Sequence, residues 1–153
     1  MADRNDDIVD TLNDLIETSH DGEYGFRQLA EHAKEPTLKQ TFLSRADAIR
    51  GSIAELRTQV AQYGGEAEDG GTASGAMHRG WVSVRSALST SNDQALLDEA
   101  ERGEDAALAR YRKAAKQDFL PEPVRALVER QLQGVQKNHD QIKMLRDQHR
   151  VAH

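Results

Sequence analysis

Four stretches of this chain repeat their apolar residues at intervals of three and four, and the breaks between them fall where helices end. The first runs over 6–34 and carries Ile8, Leu12, Leu15, Phe26, Leu29, Ala30 and Ala33, with Ser19 and Gly22 continuing the line at its centre. Acids crowd its start, where the helix macrodipole favours them. Glu35-Pro36 ends it, because a residue before proline avoids the α region. The second runs over 37–63, with Pro36 suited to its first turn and Gly64-Gly65 as its C-terminal cap. Its line is Leu38, Phe42, Ala46, Ile49, Ile53, Leu56, Val60 and Tyr63, with Arg45 and Ser52 projecting beside it and Asp47 and Glu55 pointing away.

The third stretch spans 75–118 and breaks near 89–92. Met77, Trp81, Val84 and Leu88 would face away from the later residues if the helix were continuous, and Ser91-x-x-Gln94 resembles a capping box that restarts it. The restarted part directs Leu97, Ala100, Glu104, Leu108, Tyr111 and Ala115 inward. After the stiff turn Phe119 to Pro123, a last helix over 123–150 carries Val124, Val128, Leu132, Val135, Ile142 and Leu145. Gln131, Asn138 and His139 lie at or beside that stripe, and Val151 to His153 should fray.

No β-branched runs interrupt this pattern, and with 30% charged and 5% aromatic residues the composition is that of helices, so the fold class is all-α. A length of 153 residues suits one domain, 1–153, with enough chain to bury a core. The polar, glycine-rich stretch 66–74 is long enough to cross a bundle and too long for a tight turn between antiparallel neighbours. Two α-hairpins joined by a long middle connection form the ferritin-like four-helix bundle.

Several function classes are excluded. A net charge of −6 argues against nucleic-acid binding, which needs a basic footprint. The absence of cysteine removes disulfides, thiolate metal sites and thiol nucleophiles. No apolar run approaches the ~20 residues that span a bilayer, and the acidic start does not resemble a secretory signal, so a cytoplasmic location without membrane association is expected. No nucleophile–base motif or phosphate loop is present, so no catalytic residue is assigned.

Glu104 carries most of the functional argument, because a carboxylate on a core-facing line needs a partner, a proton or a metal. Carboxylate bundles of the ferritin type hold two metal ions with a Glu from each of two helices and Glu-x-x-His from each of the others. Here Glu23 and Glu104 supply the single carboxylates, Gln136-x-x-His139 stands where Glu-x-x-His is expected, and the second helix directs Arg45 inward with no carboxylate. The candidate metal ligands are Glu104, His139, Glu23 and Glu101, for iron or manganese. The other reading is a buried polar network of Glu104, His139, Glu23 and Arg45 with no cofactor. A third uses the small residues Ser19 and Gly22 as room for a small ligand. His20 and His32 are expected on the surface, and His78-Arg79-Gly80-Trp81 either packs the first half of the broken helix or covers a subunit interface.

Asp21-Gly22-Glu23-Tyr24-Gly25-Phe26, Gly64-Gly65, His78-Arg79-Gly80-Trp81, Gly103-Glu104-Asp105 with Tyr111, and Leu145-Arg146-Asp147 together resemble a widespread bacterial group of ferritin-like four-helix-bundle proteins of unknown function. The resemblance runs from about Asp6 to Arg150. It implies a ferritin-like bundle, a bacterial cytoplasmic setting and self-association, and supplies no established activity. The expectation is a non-enzymatic, stress-associated or scaffolding homo-oligomer with a buried polar centre; the alternative is a metal-binding bundle with an oxidase or storage role.

Overall fold

The computed structural model describes residues 2–68 and 92–152, which form four α-helices and no strand. α1 is Ala2–His32, α2 Pro36–Gln62, α3 Asp93–Ala115 and α4 Glu122–Ala152. The last helix continues through Val151 and Ala152, which the sequence expects to fray. The expected helical segment before the break, with Met77, Trp81, Val84, Leu88 and the His78-Arg79-Gly80 motif, lies outside the described residues.

Local chemistry sets the helix ends. Glu35 is extended (φ −77°, ψ 126°), as its position before proline demands, and α2 starts on Pro36. At the other end Gly65 N–H bonds the Val60 carbonyl and Gly64 N–H the Ala61 carbonyl, the paired bonds of a Schellman cap, with Gly64 in the left-handed region at φ 75°. α3 is capped by Asn92, whose side chain accepts from Gln94 N–H at 2.8 Å; Ser91, with which the expected capping box begins, lies outside the described residues. Asp93 then accepts from the backbone N–H groups of Lys34 (2.9 Å) and Glu35 (3.1 Å). One carboxylate thereby ties the start of α3 to the turn between α1 and α2.

The expected apolar lines are buried nearly throughout; Ala33, Tyr63, Ala115, Leu132 and Leu145 are half-buried at the edges. α1 buries a broader face than its line predicts, adding Ile16, Thr18 and Asp21. The cause is its position: α1 packs along both α2 and α3, so one stripe cannot cover both contacts. α3 packs along α4, whereas α2 and α4 meet only sparsely. The seam between α2 and α4 holds a groove of about 470 Å³ lined by Gln40, Ser44, Lys137 and Gln141 among others. Each fully buried large side chain, such as Leu12, Leu56 or Ile142, contributes roughly 1.5–3 kcal/mol from apolar burial. No helix among the described residues is long and apolar enough to cross a membrane.

Candidate functional site

Glu104 occupies the middle of α3 and is 1% exposed. Its spacing from Leu97, Ala100, Leu108 and Tyr111 places it on the line that faces the other helices. α2 stands diagonally opposite α3, and only a long side chain crosses that distance. Arg45 does so: its Nε lies 3.2 Å from Glu104 Oε2. From α4, Asn138 Nδ2 donates to the same oxygen at 2.8 Å. Burial pushes the Glu104 carboxyl above its ordinary range, and Arg45 and Asn138 oppose that shift without cancelling it.

The raised value has a measurable consequence. A group whose folded-state pKa lies above its unfolded value stabilises fully below the unfolded value, and that contribution is lost as pH rises through the folded one. The stability of the wild type relative to Glu104→Gln should therefore increase on going from neutrality toward the ordinary carboxylate value of 4.5. Denaturant titrations at stepped pH check this; a stability difference that does not change with pH would mean that Glu104 ionises normally.

A second set of polar groups lies beside the first. Tyr111 Oη donates to Gln131 Oε1 at 2.7 Å and lies 3.4 Å from Ser19 Oγ. Burial raises the phenol to about 12, so it remains a neutral hydroxyl. Gln131 Nε2 lies 3.2 Å from both the Ser52 carbonyl and Glu55 Oε1. Glu55 is also held by Arg130 Nη2 at 2.6 Å, which lowers its pKa. Glu55 thus meets α4 across the seam, although its helical phase points it away from its own helix's apolar line. Between these groups is a cavity of about 180 Å³ that touches all four helices, lined by Ser19, Gly22, Arg45, Glu104, Tyr111 and Gln131 among others.

The four candidate ligands fall into three places. Glu104 is central. Glu101, His139 and Asp105 form a separate cluster with one ligand atom each within 4.8 Å of one another. There His139 Nε2 is 2.6 Å from Asp105 Oδ1 and its Nδ1 3.3 Å from Asp140, while Glu101 pairs with Arg146. Glu23 lies on the outer flank of the α1–α2 pair, bound by Arg27 at 2.9 Å and Arg50 at 2.9 Å, and Arg27 also reaches Asp47 at 3.0 Å. Gln136 accepts from Arg112 at 2.8 Å. His32 is exposed, as expected. His20 is half-buried, with an enclosed Nε2 that has no partner among the described residues, and burial lowers its pKa. Tyr111, Gln131 and Asn138 are the site residues to which the sequence reading attached no role; their polar ends on buried stripes were the available signal.

Residues 7–117, from α1 through α3, match the family described as Domain of unknown function (DUF2383). The chain belongs to the DUF2383 family. The matched span includes Arg45 and Glu104 and stops before α4, so Gln131, Asn138 and His139 lie beyond it. No curated protein matches this DUF2383 chain. Among solved structures, a point mutant of Mycobacterium smegmatis Dps1 superposes with a TM-score of 0.77 at 14% identity, covering 93% of this chain and 96% of that one. Mycobacterium smegmatis Dps gives 0.75 at 16% identity over 93% and 82%, and its tetragonal form 0.73 at 14% over 93% and 87%. The DUF2383 chain is therefore a ferritin-like four-helix bundle, as the element order and hairpin pairing require.

Proposed function

We propose that this chain is a non-enzymatic ferritin-like protein of the cytoplasm, that its centre is held by its own side chains in place of a metal, and that it works by self-association as a scaffolding or stress-associated protein. The observation that carries the reading is the Arg45–Glu104 contact of 3.2 Å. A dinuclear metal centre needs several anionic oxygens. This centre brings one carboxylate, already engaged by an amide N–H from Asn138 and by a guanidinium that can neither ligate a cation nor lose its charge. That donor set does not fit such a centre. Self-association draws support from α4, where Met144 (53% exposed) and Val151 (90%) are seven residues apart and share one outward stripe.

Elemental analysis after loading with iron or manganese under reducing conditions tests the first part. Metal well below one ion per chain is the expected outcome, and a stoichiometric ion lost in Glu104→Gln would overturn it. Sedimentation should show a defined oligomer; a monomer at high concentration would remove the self-association. A second reading, a metal-binding bundle with an oxidase or storage role, draws on the approach of Glu101, Asp105 and His139. Metal retained by Glu104→Gln and lost by His139→Ala would favour it.

A further inference from the structure

The polar centre leaves capacity unused. Arginine presents five N–H donors in a planar fork. The closest approach of Arg45 to Glu104 is Nε at 3.2 Å, and among the described residues no hydrogen bond is formed by Nη1 or Nη2. Its side chain is 11% exposed, and Nε is the enclosed atom of the fork. The cavity beside it, about 180 Å³, is close in size to the roughly 150 Å³ of an engineered cavity that admits benzene. Its charged lining is Arg45, Glu104 and Arg130, of which Arg130 is already paired with Glu55 at 2.6 Å. The Tyr111 and Ser19 hydroxyls add polar atoms, and Ile49 and Val135 an apolar wall.

The cavity also has an entrance. Arg45, Ala48 and Gly134 line both the cavity and the outer groove of the α2–α4 seam. Gly134 lies in the interior of α4, where glycine is disfavoured relative to alanine. Among the described residues, no atom beyond its own helix backbone lies within 4 Å of the Cβ position it lacks, so packing against a neighbour does not explain the glycine. Gly134 is exposed and puts no side chain between the groove and the cavity.

We infer that the centre of the bundle is a binding site for a small organic carboxylate, entered past Gly134 and held by the free edge of Arg45, with its hydrocarbon part against Ile49 and Val135. A carboxylate matches the guanidinium fork through two parallel hydrogen bonds, which a neutral amide cannot reproduce. The inference rests on the metal-free centre proposed above and specifies what that centre receives.

Calorimetric titration of the full chain with butyrate and benzoate tests it, with butyramide and benzamide as uncharged matches and metal content measured on the same preparation. One carboxylate per chain should bind saturably, and the amides should bind about tenfold or more weakly, as expected for the loss of a charge-assisted contact. Gly134→Leu should block entry and weaken binding, whereas Gly134→Ala should leave it intact. Arg45→Met should abolish it, and if that variant fails to fold, the Gly134 pair still decides. Absence of saturable binding in metal-free wild type, equal binding of amides, or unaltered binding by Gly134→Leu would overturn the inference. A stoichiometric ion on Glu104 would instead overturn the metal-free reading, and the elemental analysis reports it independently of the titration.

Discussion

Arg45→Leu is expected to lower the unfolding free energy by about 3–5 kcal/mol at neutral pH, the range found when one partner of a buried ion pair is removed. The cost comes from the residue left behind. Glu104 is 1% exposed on a central line of α3. Without Arg45 it keeps only the Asn138 N–H, and it must either remain charged in the core or take up a proton. Glu104→Leu should cost less, because Arg45 lines the α2–α4 groove and can swing its guanidinium outward along its own aliphatic stem. Arg45→Leu/Glu104→Leu should be close to wild type, since an apolar pair of similar size carries no desolvation penalty. Asn138 also lines the groove and can turn its freed amide toward water. Denaturant midpoints at constant m-value give the order directly. A double variant as unstable as Arg45→Leu alone would mean that the pair itself, and not the orphaned carboxylate, sets the cost.

The same residues show what the sequence could and could not reveal. Periodicity identified the inward stripes, so Glu104 and Arg45 were legible as facing residues before any contact was known. Counting residues outward from the Leu120 turn puts Glu104 level with Val135 to His139, and Asn138 bonds it from that layer. Periodicity does not resolve which of two adjacent residues points inward when both flank the stripe. One step along a helix is a rotation of about 100°, and it sends His139 to Asp105 while Asn138 takes Glu104. Counting from Glu35-Pro36 likewise puts Glu23 level with Ala46 to Ile49, yet its flank position sends it to Arg27 and Arg50 outside the core. Glu55 looked outward because its phase was judged against its own helix; the sparse α2–α4 contact leaves a seam in which Arg130 and Gln131 reach it. Asp93 and Gly134 depend on what another helix brings near, or fails to bring near, and no pattern within one helix encodes that.

Phe42→Ala is expected to cost about 3–5 kcal/mol, as large-to-small changes of buried aromatics do. Phe42 on α2 and Phe26 on α1 are both fully buried, with ring centroids 5.8 Å apart and planes tilted by 46°. Tilted pairs at this separation contribute about 0.5–1.5 kcal/mol beyond the area they bury. Phe26→Ala should therefore cost a similar amount, and the double variant should cost less than the sum of the singles by about that coupling. Leucine at either position keeps most of the volume and should recover the larger part of the loss. The effect should also reach the polar centre. Arg45 is three residues beyond Phe42 and takes its position from how closely α2 lies on α1, so amide exchange around Arg45 should accelerate in Phe42→Ala before global unfolding does. A loss below about 1 kcal/mol, with additive single and double variants, would show that the two rings fill space independently and that another contact sets the α1–α2 spacing.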